Sequence, residues 1–236
     1  MRILSRKQLA ELPPIEWLVE DLIPAESLCM CWGKSESFKS FILLDVACCI
    51  ATGKTWAGRV VDGPGDVLYI AAEGQLGIKA RIEAWESKNK LRADRVFVVP
   101  EPVLARNFEE LVGLVKDLDS SPRLVVVDTL SRCLGGEVDE NSATGMEQFL
   151  QQLDRVRREF GCSVAIVHHS EKTGSWPRGS YAIQAACDSI YQVIREDGSY
   201  TCNLFCKKQK DAARCDPMTF VALKELESLV LEKVSK

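Results

Sequence analysis

The chain has 236 residues, of which 46% are hydrophobic and 27% are charged. This composition is ordinary for a globular protein and excludes a disordered, collagen-like or coiled-coil chain. Its 30 basic and 34 acidic residues give a formal net charge of −4, so the chain would not coat duplex DNA by charge alone.

No apolar run approaches the roughly 20 residues of a membrane-spanning helix, and no secretory signal is recognisable, so we expect neither. The ten cysteines include no Cys-x-x-Cys pair, and several stand inside apolar runs. This pattern favours buried, reduced thiols in a cytosolic protein over disulfides or structural zinc.

The first 26 residues are predicted to form an N-terminal arm with a short helix, ending near Pro24. The arm either packs on its own domain or docks on a neighbouring subunit. Residues 27–236 are predicted to form the main domain, because strand and helix patterns alternate from there onward.

Short apolar runs predict buried strands at residues 28–32, 67–71, 96–99, 124–127 and 164–167. Helical spacing predicts helices at 40–50, 76–88, 108–118 and 143–160. Beyond Ser189 the pattern becomes β-rich, at 190–195, 200–207 and 218–223, with turns at 196–198 and 213–217. The chain is therefore predicted to be an α/β protein, a mostly parallel sheet flanked by helices, with C-terminal β-hairpins.

A polar loop follows the first predicted strand of the main domain and precedes a helix. Its sequence is Gly33-Lys34-Ser35-Glu36-Ser37-Phe38-Lys39-Ser40. Gly33, Lys39 and Ser40 match the phosphate-binding template G-x-x-x-x-G-K-[ST], while Phe38 occupies the position of the second glycine. We interpret residues 33–40 as nucleotide-binding, with Lys39 neutralising phosphate oxygens and Ser40 binding Mg²⁺. The alternative is a polar turn that caps the helix through Ser37.

Two acidic residues stand at strand ends. Asp128 closes an apolar strand and is predicted to hold Mg²⁺; the alternative is a turn or helix-capping aspartate. Glu73 follows another strand, and the strand ends of an α/β sheet converge on the ligand crevice. Glu73 is therefore predicted to orient or deprotonate a water molecule, and the alternative is a solvated loop residue.

The chain has two histidines, His168 and His169, at the end of another apolar strand. Side chains alternate along a strand, so at most one of them faces the crevice easily. No third ligand stands at a suitable spacing for a metal site. The pattern favours a hydrogen-bonding residue that senses the γ-phosphate.

These motifs together resemble the RecA-like ATPases of the plasmid RepA type, ring-forming helicases of plasmids and phages that are related to the DnaB helicase core. The similarity also rests on the segments Phe41-Ile42-Leu43-Leu44-Asp45, Gly53-Lys54-Thr55-Trp56, Tyr69-Ile70-Ala71-Ala72-Glu73, Val126-Val127-Asp128-Thr129, His168-His169 and Arg178-Gly179-Ser180. The resemblance implies a RecA-like ATPase domain at 27–236 that uses ATP and Mg²⁺, with Glu73 as catalytic glutamate and His169, rather than His168, as γ-phosphate sensor.

The resemblance also implies that Lys208 and Lys210 reach into the ATP site of the next subunit. The family commonly has arginine near the second position, so Lys210 is a departure that predicts weaker clamping of the transition state. Glu36 and Phe38 also depart from the family, since they replace glycines, and we expect the Glu36 side chain to point outward.

Two polar stretches, 131–142 and 170–178, correspond to loops that grip single-stranded DNA in the channel of RecA-like rings. The second supplies Lys172 and Arg178 for phosphates and Trp176 for base stacking, while Gly174 allows mobility. The alternative is a plain surface loop.

The leading hypothesis is a hexameric, ATP-driven helicase or translocase on single-stranded DNA. It would serve phage or plasmid replication in the bacterial cytoplasm, with replication proteins as possible partners and no membrane partner. The alternatives are a filament-forming strand-exchange recombinase and a recombination accessory ATPase with weak hydrolysis and no unwinding.

Overall fold

The computed structural model describes residues 3–104, 107–118, 120–136 and 138–234. The helices of these segments are α1 (Arg6–Ala10), α2 (Lys39–Thr52), α3 (Gln75–Asn89), α4 (Phe108–Lys116), α5 (Leu130–Cys133), α6 (Ala143–Phe160) and α7 (Tyr181–Ala186). The strands are β1 (Trp17–Val19), β2 (Ile23–Pro24), β3 (Leu28–Gly33), β4 (Val67–Ala71), β5 (Val96–Val99), β6 (Leu124–Asp128), β7 (Ser163–His169), β8 (Ser189–Arg195), β9 (Thr201–Gln209), β10 (Met218–Glu225) and β11 (Ser228–Lys233).

The main sheet has the strand order β11-β10-β9-β8-β3-β7-β6-β4-β5. From β8 through β3, β7, β6 and β4 to β5, every neighbouring pair of strands is parallel. On its other side β8 pairs with β9 in the antiparallel direction, and β9, β10 and β11 continue as antiparallel hairpins. The predicted α/β class, with a mostly parallel sheet and C-terminal hairpins, is confirmed. The prediction missed α5, α7 and β11, and it ended α4 two residues too late.

Helices cover both faces of the sheet because the buried strands send alternate side chains to opposite sides. In β6, Leu124 and Val126 join a core with α2 and α3. Val125 and Val127 join a second core with α4 and α6. Since both faces are covered, a ligand can reach the polar side chains of the parallel strands only where those strands end.

The N-terminal arm contains the predicted short helix, α1, and a small β1–β2 hairpin that was not predicted. Ser5 and Gln8 cap α1 through reciprocal hydrogen bonds with each other's backbone N–H groups. Leu18 and Ile23 of the hairpin are buried in the core that contains α2. This part of the arm therefore packs on its own chain, while the domain boundary near residue 26 stays a prediction.

A buried carboxylate lies inside the α2 core. Asp45 accepts hydrogen bonds from the indole N–H groups of Trp56, at 2.8 Å, and Trp85, at 2.6 Å. Burial raises its pKa to about 6, and the two indole donors only partly oppose this rise. The hydrogen bond between Asp45 and Trp85 therefore connects α2 to α3, but ionising the buried carboxyl group lowers the free energy of unfolding.

All ten cysteines are free thiols, and eight of them are buried. Burial raises the pKa of Cys29 and of Cys31 to about 12. Cys206, which is half-buried, differs because a hydrogen bond from the half-buried Cys215 lowers its pKa to about 7. Within the segments that the structure describes, no helix is both long and apolar enough to cross a bilayer.

Candidate active site

The loop between β3 and α2 has the tight backbone that phosphate binding requires. A Cβ atom on Gly33 would lie 2.3 Å from the carbonyl oxygen of Val193, so only glycine fits at the start of the loop. Glu36 and Phe38 have φ angles of 61° and 69°. Both positions therefore need the left-handed conformation that glycine adopts most easily, although neither is glycine. The Glu36 side chain is exposed, as expected.

Lys39 is the first residue of α2 and is only 5% exposed. Its ammonium donates hydrogen bonds to the carbonyl oxygen of Lys34, at 2.6 Å, and to the hydroxyl of Ser37, at 3.4 Å. Burial lowers its pKa, with Asp128 and Glu73 opposing this effect. A partly desolvated cation beside a helix N-terminus is well suited to phosphate oxygens.

Ser40 and Asp128 form the oxygen-rich side of the site. The Ser40 hydroxyl donates to Asp128 Oδ1 at 3.0 Å, and the Tyr69 hydroxyl donates to Asp128 Oδ2 at 2.6 Å. Asp128 is 2% exposed, and burial raises its pKa, while the two hydroxyl donors lower it. A hydroxyl and a carboxylate are the ligand types that Mg²⁺ prefers, so the residues fit a magnesium–nucleotide complex.

Glu73 lies at the end of β4, beside β6 and β7. The Thr129 hydroxyl donates to Glu73 Oε2 at 3.3 Å, and His169 Nε2 lies 3.6 Å from the same oxygen. Burial lowers the pKa of His169, and the charge of Lys39 adds to this effect. Glu73 and a neutral His169 therefore share one side of the crevice.

His168 faces the other way, as strand alternation predicted. Its Nε2 lies 2.6 Å from the carbonyl oxygen of Arg178, so this nitrogen carries the proton and donates it. Burial lowers the pKa of His168 to about 4. His168 is therefore a neutral residue that anchors the loop after β7.

A cavity of about 530 Å³ joins these groups. Its lining consists of Ser35, Glu36, Ser37, Phe38, Lys39, Ser40, Phe41, Glu73, Gly74, Arg81, Thr129, His169 and Arg195. The structure thus brings most of loop 33–40 together with Glu73 and His169, while Asp128 lies directly behind Ser40.

The sequence analysis assigned no role to four residues of the site: Tyr69, Thr129, Arg81 and Arg195. Tyr69 and Thr129 stand in segments that carry the family resemblance, and the Tyr69 hydroxyl is the one polar group among the side chains of an otherwise apolar strand. Arg81 and Arg195 gave no signal, since they enter the cavity from α3 and from the end of β8.

Lys208 and Lys210 lie on the side of the sheet where the parallel strands begin, whereas the phosphate-binding loop lies where they end. Lys208 pairs with Ile190 near the start of β8, and Lys210 follows β9. Lys208 Nζ donates to the carbonyl oxygens of Gln184 and Ala185, and Lys210 Nζ lies 3.4 Å from Asp188. Ile190 pairs with Met30 of β3, three residues before Gly33, so roughly 10 Å along the strand direction, at about 3.3 Å per residue, separates the Lys208 backbone from the start of the phosphate-binding loop.

The loop after β7 is a short hairpin-like turn. Ser170 and Pro177 form a β-bridge, and the Glu171 N–H donates to the Trp176 carbonyl oxygen. Trp176 is 62% exposed and Lys172 is also exposed. Arg178 is instead ion-paired with Glu140 and half-buried. Of the three predicted DNA contacts, two are therefore free at the surface in this conformation.

The fold and this site define a RecA-like P-loop ATPase. A family model described as an AAA domain matches residues 2–175, and the chain belongs to this family.

Two solved structures share the fold. A crystal structure of the RadB recombinase is similar with a TM-score of 0.62 and 15% identity, covering 84% of this chain and 87% of that one. A second solved structure, the ATPase domain of another protein, is similar with a TM-score of 0.62 and 12% identity, covering 87% of this chain and 84% of that one. No curated protein matches the chain.

Proposed function

We propose that the chain is the subunit of a hexameric, ATP-driven helicase or translocase that moves on single-stranded DNA in phage or plasmid replication. One observation carries the proposal: Lys39, Ser40, Glu73 and His169 line one cavity, whereas the two candidate cationic fingers lie on the side of the sheet where the parallel strands begin. A subunit of this kind completes its site only with a neighbour.

In the proposed mechanism, Lys39 and the N–H groups of the loop bind the β- and γ-phosphates of ATP. Ser40 and Asp128 would hold Mg²⁺, which neutralises charge on the phosphate oxygens when it is bound. Tyr69 keeps the Asp128 carboxylate oriented toward Ser40 through its 2.6 Å hydrogen bond.

Glu73 is the proposed general base. It accepts a proton from the water that attacks the γ-phosphorus, and such a base contributes about 10²–10⁴-fold to the rate. Thr129 holds one carboxylate oxygen at 3.3 Å, which fixes the direction of the other. His169, neutral and beside Glu73, would form a hydrogen bond with the γ-phosphate. It would lose that hydrogen bond when the γ-phosphate is released.

Lys208 and Lys210 are proposed to enter the neighbouring subunit's site as trans-acting cations. Their present partners are main-chain carbonyls and one carboxylate at 3.4 Å, contacts that a phosphate can replace. Within this scheme residues 27–236 form the ATPase domain and residues 1–26 the arm.

Single-stranded DNA is the proposed track. Lys172 and Trp176 are exposed on one small loop, and that loop begins one residue after His169. A base can stack on Trp176 while Lys172 contacts a phosphate. Arg178 joins them only after it leaves Glu140, and Gly174, with a φ of 79°, is the natural pivot.

An unwinding assay on forked DNA tests the proposal, with the wild type compared with Lys39→Ala and Glu73→Gln. The wild type should unwind and hydrolyse ATP. Lys39→Ala should lose nucleotide binding, whereas Glu73→Gln should bind nucleotide without turnover. Hydrolysis without unwinding by the wild type would contradict the helicase proposal.

That outcome would favour the second candidate, a recombination accessory ATPase without unwinding. The specific observations behind it are the two non-glycine residues in left-handed conformation in the phosphate loop and the lysine, rather than arginine, at position 210. Lysine at position 210 lacks the planar fork of arginine and would clamp the transition state of hydrolysis more weakly.

A further inference from the structure

The phosphate-binding loop keeps its shape without the glycines that usually provide it. Glu36 and Phe38 both have positive φ angles, at 61° and 69°, and a Cβ atom is strained in that region. Phe38 is nevertheless 8% exposed and well packed. Some contact outside the loop must therefore stabilise these two residues.

Arg195 makes that contact at both positions. Its guanidinium lies 4.1 Å from the centroid of the Phe38 ring, and its Nη1 donates to the carbonyl oxygen of Glu36 at 2.6 Å. Its Nε donates to the carbonyl oxygen of Ser199 at 2.6 Å, in the turn after β8. One planar side chain thus fixes the ring of one strained residue and the backbone of the other.

The support behind Arg195 is rigid. Strand β8 is paired with β3, and the carbonyl oxygen of Val193 lies against Gly33, at the first residue of the loop. On its other side the Phe38 ring meets Phe41 of α2 edge-on, with centroids 5.8 Å apart. The ring is therefore held between the end of β8 and the first turn of α2.

We propose that Arg195 is a positioning residue that holds the phosphate-binding loop in its nucleotide-binding shape, acting through the Phe38 ring and the Glu36 carbonyl. The inference rests on the proposed nucleotide binding at this loop. It differs from a direct role, in which Arg195 would contact the nucleotide itself from the wall of the cavity.

A double-mutant cycle on nucleotide affinity separates the two roles. Titration with a fluorescent ADP analogue is compared for the wild type, Arg195→Ala, Phe38→Gly and the double variant. We expect Arg195→Ala to weaken binding about tenfold, and Phe38→Gly to bind within about threefold of the wild type because glycine adopts the conformation freely. In the Phe38→Gly background, Arg195→Ala should cost only about threefold instead of tenfold, because the contact with the Glu36 carbonyl is the one left to lose.

Arg195→Lys is the second test. Lysine keeps the charge but lacks the planar fork, so it should fail to restore affinity in the wild-type loop. It also replaces Arg195→Ala in the cycle if that variant does not fold, which circular dichroism reports. Arg92→Ala, a change at an arginine whose side chain is 75% exposed, is the control and should bind as the wild type does.

The positioning role would be overturned if Arg195→Ala lowered nucleotide affinity equally in both backgrounds, or if Arg195→Lys bound nucleotide as tightly as the wild type. Either result would leave the proposed nucleotide binding intact. A wild type that binds no nucleotide would overturn the proposed function as well. The two failures are therefore distinguishable.

Discussion

Tyr69→Phe removes a single oxygen atom from behind the proposed metal site. The Tyr69 hydroxyl donates to Asp128 Oδ2 at 2.6 Å, and Tyr69 is 0% exposed. A hydrogen bond to a charged group contributes about 1.5–3 kcal/mol to stability, and in a domain of this size each kcal/mol shifts Tm by about 2–4 °C. We therefore expect the melting temperature to fall by about 3–12 °C.

The same variant should change the pH dependence of ATP hydrolysis. Burial already raises the pKa of Asp128, and the Tyr69 hydrogen bond opposes that rise. Without the hydroxyl, the carboxylate is harder to ionise, so the acid limb of the pH–rate profile should move to higher pH. A calorimetric melt and a steady-state phosphate-release assay from pH 5 to 9 measure the two effects.

Tyr191→Phe is the matched control. Tyr191 is 5% exposed, and its hydroxyl donates to the Leu22 carbonyl oxygen, away from the site. It should lower Tm without moving the acid limb. An unchanged pH profile in Tyr69→Phe, or an equal shift in Tyr191→Phe, would refute the argument that Tyr69 tunes Asp128.

Further predictions concern three other regions. Because burial raises the pKa of Asp45 to about 6, the folded protein keeps a proton on this carboxyl that the unfolded chain loses above about pH 4. Between pH 4 and pH 7 the wild type should therefore lose up to about 3 kcal/mol of unfolding free energy relative to Asp45→Asn. Urea titrations that give the same difference between the two proteins at every pH would contradict this. Lys208→Ala should bind nucleotide but not hydrolyse it, and mixing it with Lys39→Ala should restore part of the activity; no recovery on mixing would argue against a shared site. Trp176→Ala should weaken single-stranded DNA binding by about 1–3 kcal/mol at all salt concentrations, whereas Lys172→Ala should make the affinity less dependent on salt. Filter binding that changes in neither variant would exclude this loop as the DNA contact.

The sequence predicted the central parallel strands well because they are buried on both faces. Val67–Ala71 is a continuous apolar run that is buried at every position, and the structure gives it the predicted bounds. Val96–Val99 also has the predicted bounds, but it is an edge strand that is only partly covered, so the prediction of a buried strand was wrong there. Strand β11 was missed because Ser228–Lys233 is a partly exposed edge strand in which Glu232 and Lys233 interrupt the apolar pattern. Helices α5 and α7 are four and six residues long, too short to show a helical period.

The parts of the site that stand at strand ends were predictable for a topological reason. Strand ends of a parallel sheet must meet at one edge, so Glu73, Asp128 and His169 lie near Lys39. Arg195 was not predictable, because its stacking on Phe38 depends on where the β8–β9 turn lies above the loop. A contact between residues so far apart in the sequence cannot be predicted from local patterns.

The distribution of thiols offers a practical route to watching this molecule move. Eight cysteines are buried, and burial raises the pKa of all eight, so at neutral pH maleimide dyes should leave them unmodified. Replacing the half-buried Cys206 and Cys215 by serine would then give a silent background. A Ser175→Cys substitution on the exposed loop would then accept one fluorophore, whose emission on addition of ATP would test whether the loop moves.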